Sequence, residues 1–105
     1  MVSGSNGYWK CVGKLPGAHS STIYSLDYAP ARAGHGRIAS AGGDNRVQIY
    51  REVMDSSIDA PLFSLDASVQ VGCSDVNCVR WHPSDGSVLV AACDDGSVNI
   101  FKFVV

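Results

Sequence analysis

Arg37-Ile38-Ala39-Ser40-Ala41-Gly42-Gly43-Asp44-Asn45-Arg46-Val47-Gln48-Ile49-Tyr50 recurs near the other end of the chain as Ser87-Val88-Leu89-Val90-Ala91-Ala92-Cys93-Asp94-Asp95-Gly96-Ser97-Val98-Asn99-Ile100-Phe101. In each copy a short apolar run meets a polar turn, Asp-Asn or Asp-Gly, and an alternating run closing on an aromatic residue follows. This is hairpin grammar, because Asn, Asp and Gly are the residues that readily take the positive φ of a tight turn. The flanks repeat as well: Thr22-Ile23-Tyr24-Ser25-Leu26-Asp27-Tyr28-Ala29-Pro30 lies over Asp75-Val76-Asn77-Cys78-Val79-Arg80-Trp81-His82-Pro83. The chain therefore reads as two copies of one structural unit.

Working outward, strands are expected over residues 22–28, 37–41 and 46–51 in the first copy, and over 75–81, 88–93 and 97–103 in the second. A further strand is expected at 62–65 after a polar linker, and another at 8–15 after a polar start. Prolines close the first strand of each copy, since proline cannot donate to a ladder. Sustained helical periodicity is absent, and runs such as Val88-Leu89-Val90-Ala91-Ala92 are apolar on both faces, as in sheets covered on both sides. A four-stranded unit of about forty residues with loop insertions, stacked on its neighbours, is a β-propeller blade.

Composition narrows the function. The chain has 105 residues, 46% of them apolar, and a formal charge of -2, which suits one small packed domain. Its few, scattered Lys and Arg give no electrostatic footprint for nucleic acid. The longest apolar run, Val88 to Cys93, is far short of the roughly 20 residues of a bilayer-spanning helix. Met1 to Gly7 lacks the basic start and apolar core of a secretory signal, so Cys11, Cys73, Cys78 and Cys93 are expected as reduced thiols in a cytoplasmic protein that could also be nuclear. With His19, His35 and His82 these cysteines make no Cys-x-x-Cys or His-x-x-x-His pair, so no metal or cofactor is expected.

At this point the residues carry a resemblance. His19, the strand ending at Pro30, and the run from Ile38 to Tyr50 resemble a WD40 repeat. The resemblance implies a structural network in which a loop histidine, a strand hydroxyl, a turn aspartate and a tryptophan hydrogen-bond to one another. His19, Ser40 and Asp44 stand at three of those positions, and Tyr50 stands at the tryptophan position. In the second copy only Asp95 matches: Gly72 or Cys73 replaces the histidine, Ala91 the hydroxyl residue and Phe101 the tryptophan. The fold class expected is all-β, a WD40-type propeller fragment of two blades plus a flanking strand. Its organisation is a polar segment 1–7, an outer strand of a preceding blade at 8–17, one blade at 18–65 and a final blade at 66–105. A seven-bladed ring needs roughly three times this length, so the chain is expected to be part of a longer propeller. Alone it exposes two apolar blade faces and a strand edge, which favours association.

Trp9-Lys10-Cys11-Val12, the Asp75 to Pro83 string and Asp94-Asp95-Gly96-Ser97-Val98 narrow the likeness to the WD40 subunits of the cytosolic iron–sulfur protein assembly targeting complex. That likeness implies a non-catalytic adaptor that works with a small adaptor subunit and a large HEAT-repeat scaffold to pass clusters to apo iron–sulfur proteins. Thr22, Tyr24, Gly43, Asp75, Asn77 and Asp94 are the candidate partner-binding loop residues, since loops on a rigid scaffold carry recognition. Two other readings stay open: a WD40 scaffold of another assembly, such as a ubiquitin-ligase receptor or chromatin complex, and a small hydrolase using His19, Ser40 and Asp44. The hydrolase lacks a Gly-x-Ser-x-Gly elbow and places its serine in mid-strand. Asp94 and Asp95 read as a turn rather than a carboxylate pair. Tyr28 and Trp81 read as core rather than as stacking platforms for nucleic acid.

Overall fold

The computed structural model describes residues 6–15, 17, 19–29, 36–53 and 56–104. Seven strands are present among them: β1 Ile23–Ala29, β2 Arg37–Gly42, β3 Arg46–Glu52, β4 Phe63–Gln70, β5 Val76–Trp81, β6 Val88–Cys93 and β7 Val98–Lys102. They form two antiparallel sheets, β1-β2-β3-β4 and β5-β6-β7, each strand lying beside its sequence neighbour. The described residues include no helix long and apolar enough to cross a membrane.

The repeat is reproduced in backbone detail. The β2–β3 and β6–β7 turns each place one residue in the left-handed region, Asn45 at φ 66° and Gly96 at φ 86°. These are aligned positions, and they hold two of the residue types that tolerate that region. Each first strand carries a register irregularity near its start, at Ile23/Ser25 and at Val76/Cys78. Gly43 N–H donates to Thr22 O at 2.9 Å, and the equivalent Asp94 N–H donates to Asp75 O at 3.0 Å.

Two expectations change. The strand expected at 62–65 is twice that length, because the alternation Phe63-Ser64-Leu65-Asp66-Ala67-Ser68-Val69-Gln70 lets β4 track β3 along its whole edge, from Glu52↔Phe63 to Arg46↔Gln70. The blade boundary expected at 65/66 therefore falls inside this strand. Residues 8–15 form no strand here, and Tyr8 and Trp9 are exposed. A strand exists only where another strand bonds it, and none lies beside this segment among the described residues.

The sheets meet face to face. Register puts Ala39, Ala41, Val47 and Ile49 on one face of the first sheet, and they pack against Val76, Val79, Trp81, Leu89, Ala91 and Phe101 of the second. Small alanines in β2 let the second sheet come close. Each fully buried valine contributes about 1.5–3 kcal/mol relative to exposure. Polar groups stitch the seam: Trp81 N–H donates to the Asp27 carboxylate at 2.7 Å, Trp81 Nε1–H to Asp27 O at 3.2 Å and Val79 N–H to Ser25 Oγ at 3.2 Å. Tyr28, expected in the core, is instead half exposed, because it sits on the opposite face of β1 from this seam.

Candidate functional site

The β2–β3 turn and the loop before β1 converge on His19. Its ring is fully buried, and Nδ1 lies 2.8 Å and 3.0 Å from the two Asp44 carboxylate oxygens. A carboxylate only accepts, so Nδ1–H is the donor, and Nε2 shares a hydrogen bond with the Ser40 hydroxyl at 2.8 Å. Ser20 N–H adds a bond to Asp44 Oδ2 at 3.2 Å. Burial pushes the Asp44 carboxyl up. Hydrogen bonds from His19 and from the Ser20 and Arg46 backbone, together with the charge of His19, outweigh that and hold it below its ordinary value. Three of the expected network residues thus come together across more than twenty positions of sequence.

Tyr50, the fourth, is wholly buried opposite Ile38 on the face that carries Ser40, and burial pushes its phenol up. Asp95 makes a different arrangement. Its carboxylate accepts from Ser97 N–H at 2.9 Å and from Ser97 Oγ–H at 2.6 Å, closing its own turn and holding its carboxyl below the ordinary value. Ala91 is buried without a hydroxyl, and Phe101 packs apolar against the seam.

Two network residues escaped the reading of the sequence. Gly42 lies so close to the loop that a Cβ there would stand 2.7 Å from Thr22 O and 2.9 Å from His19 Nδ1. Its signal was in the repeat: where His19 is replaced by Gly72, Gly42 is replaced by Cys93. The second is Gln48, whose Nε2–H donates to Gly17 O at 3.1 Å and ties β3 to the same loop.

The geometry bears on the hydrolase reading. Ser40, His19 and Asp44 have the connectivity of a triad, but Ser40 is buried in mid-strand. The hollow above the network is lined by Gly17, His19, Ser20, Asp44, Arg46, Gln48 and Ser68 and does not reach Ser40. A nucleophile must meet its substrate, and the Ser40 hydroxyl is closed off beneath the His19 ring. All four cysteines are free thiols, and no metal-holding group of three or more ligands occurs among the described residues.

The six candidate contact residues form one continuous rim across both sheets. Thr22 and Gly43 are joined by the backbone bond given above, as are Asp75 and Asp94. Tyr24 Oη–H reaches over the seam to Asp75 Oδ2 at 3.3 Å, and the Asn77 amide donates to the Asp94 carboxylate. The charge of Asp75, with burial, the hydrogen bond to Asp75 and the charge of Asp94, raises the Tyr24 phenol above its ordinary value. The rim is acidic, carries one aromatic ring, and uses bare backbone at Gly43, where a Cβ would come within 2.9 Å of Ser21 Oγ.

Paired antiparallel blades of aligned strands, with a histidine–aspartate–serine network at the loop end of one, define a β-propeller repeat unit. The family model described as "WD domain, G-beta repeat" matches residues 9–51 and 61–102, and the chain belongs to that family. Among curated proteins it is similar to "Probable cytosolic iron-sulfur protein assembly protein Ciao1" of Anopheles gambiae, 38% identical over 91% of this chain and 27% of that protein. The human protein of the same description, CIAO1, is 38% identical over 96% of this chain and 29% of its own length. The Nematostella vectensis homologue is 38% identical over 98% and 31%. The chain thus spans about three tenths of the length of the relatives it matches.

Proposed function

We propose that the chain is a non-catalytic adaptor segment in cytosolic iron–sulfur protein assembly, and that it presents the rim of Thr22, Tyr24, Gly43, Asp75, Asn77 and Asp94 to protein partners. The observation that carries this reading is that relatives bearing that description match it over more than nine tenths of its length. The site chemistry agrees: a rigid network fixes the loops, and the groups left facing outward are acceptors and an aromatic edge, suited to a partner surface that supplies hydrogen-bond donors. Partners of this kind would be a small adaptor subunit, a large HEAT-repeat scaffold and apo iron–sulfur proteins, met in the cytoplasm or nucleus.

The test is capture from cytosol by the tagged 105-residue chain, read by mass spectrometry. Enrichment of an adaptor subunit or apo iron–sulfur enzymes, lost in Asp75→Lys/Asp94→Lys, is the expected result. Enrichment of ubiquitin-ligase or chromatin subunits alone would transfer the rim to another assembly. Enrichment unchanged by the double variant would remove the rim from the interface. Ester turnover that disappears in Ser40→Ala at unchanged melting temperature would overturn the non-catalytic reading in favour of the hydrolase.

A further inference from the structure

The β5–β6 turn closes on a single imidazole nitrogen. His82 Nδ1 lies 3.1 Å from both the Ser84 and the Asp85 backbone nitrogens. A backbone N–H only donates, so Nδ1 accepts both bonds and the ring carries its one N–H on Nε2. The same six residues are bonded at several further points. His82 N–H donates to Val88 O at 2.9 Å and Val88 N–H to Asp85 O at 3.2 Å, closing β5 onto β6. The Asp85 carboxylate accepts from Ser87 N–H at 2.9 Å and from Ser87 Oγ–H at 2.6 Å. Side-chain acceptors therefore fold residues 82–87, and His82 supplies the first of them. Ala29, at the aligned place in the other copy, has no acceptor to offer.

The turn also ties the second sheet to the first at the end away from the rim. Arg37 of β2 reaches across the seam, where its Nη1–H donates to Gly86 O at 3.4 Å and its guanidinium lies 5.4 Å from the centre of the Phe103 ring. Phe103 N–H in turn donates to Ser87 O at 2.8 Å. The charged groups on this side are few. Asp85 is in the turn itself, Lys102 is on β7, and Arg37, Arg51 and Asp66 come from the first sheet and line one hollow with Gly86 and Ser87. Asp66 Oδ2 stands 3.8 Å from Arg37 Nε. Hydrogen bonds from Ser87, with the charges of Lys102 and His82, outweigh burial and hold the Asp85 carboxyl below its ordinary value. Asp85 thus stays ionised where imidazoles change charge, and the exposed ring of His82 is the group in this turn that responds.

We propose that the β5–β6 turn is a proton-operated latch: the neutral His82 ring closes it over Ser84 and Asp85, and a second proton on the ring opens it and releases the Arg37–Gly86 contact across the seam. The reason is the one lone pair on Nδ1. Once that nitrogen carries a hydrogen it is a donor facing two donors, so both bonds are lost together. The charged ring is drawn instead toward the Asp85 carboxylate and away from Lys102 and Arg37. Gly86 lies between Asp85 and Ser87, so a turn that loses its hold on Ser84 and Asp85 no longer fixes the carbonyl that Arg37 reaches.

The test is an NMR titration of the whole chain across the imidazole range, with His82→Asn as the comparison. Asn offers Oδ1 where the ring offers Nδ1, and so keeps an acceptor that takes no proton. In the parent, the Ser84 and Asp85 amide resonances and the Gly86 carbonyl carbon are expected to shift with the same midpoint as the His82 ring protons. Protection of the two amides against hydrogen exchange is expected to fall about fivefold each, the equivalent of one net hydrogen bond. In His82→Asn the same resonances are expected to stay still and the protection to hold. Amides that do not move while the ring titrates overturn the proposal, and so do equal shifts in His82→Asn. A Gly86 carbon that ignores the ring overturns it as well. Unfolding of the whole chain over this range in parent and variant alike does so too, because the turn is then not the element that responds.

Discussion

Asp44 and Asp95 stand at the same place in the two repeats, and their surroundings differ completely. Asp44 is nearly buried and bonds a histidine twenty-five residues away, clamping the loop before β1 onto the β2–β3 turn. Asp95 is exposed and bonds only two residues ahead, within its own turn. Both turns have the same shape. A long-range hydrogen bond restrains a loop whose closure costs entropy, while a local one stabilises a turn that the backbone already favours. The lesson is that a repeated motif fixes the backbone, and its energetic worth depends on what the third residue, here His19 or Gly72, brings.

The comparison breaks most readily at Asp44. Asp44→Ala leaves the buried His19 N–H without its acceptor and should cost about 3 kcal/mol, since bonds to charged groups and stranded buried donors are the expensive ones. For a domain of this size that is a fall of more than about 10 °C in Tm by calorimetry. The sign of its pH dependence follows from the lowered folded pKa. Stability from Asp44 is fully present above its unfolded value of about 3.9 and is lost as pH falls through the folded value, so Asp44→Asn should flatten the acid limb of the stability curve.

Gly42→Ala sharpens the comparison. A methyl 2.7 Å from a carbonyl and 2.9 Å from the His19 ring should cost about 2 kcal/mol as overpacking. In a His19→Gly background, which mimics the second repeat's Gly72 and Cys93, the same change should cost measurably less; additive losses in denaturant melts would disprove the steric coupling. Ser40→Ala removes the hydrogen-bond partner of His19 Nε2 and should cost about 1.5 kcal/mol. Asp95→Ala, an exposed site, should leave Tm within the scatter of repeated melts; a loss equal to that of Asp44→Ala would erase the distinction between the turns.

Much of this was legible in the chain itself. Val88–Cys93 was bounded correctly and β2 and β3 to within a residue, because the Asp-Asn and Asp-Gly turns punctuate apolar runs on both sides. His19, Ser40 and Asp44 were visible as residue types at family spacing. Gly42 was not singled out, since a glycine's necessity depends on which side chain approaches it. The far half of β4 was overlooked although its alternation runs unbroken to Gln70, because Asp66 and Ser68 read as loop until β3 is there to bond them. Residues 8–15 have strand composition, and no strand lies beside them among the described residues.

What the sequence by itself determined is the repeat: two hairpins preceded by a strand, turns that demand positive φ, and a preference for burying both faces. Those are local properties, set by backbone sterics and side-chain alternation. Only the tertiary structure decided that Asp44 is nearly buried and Asp95 is not, that Val47 is sealed while Val98 faces solvent, and that six residues of loops and strand starts join into one acidic rim. Each of these depends on which sheet lies against which, and burial is a property of neighbours that a linear chain does not carry.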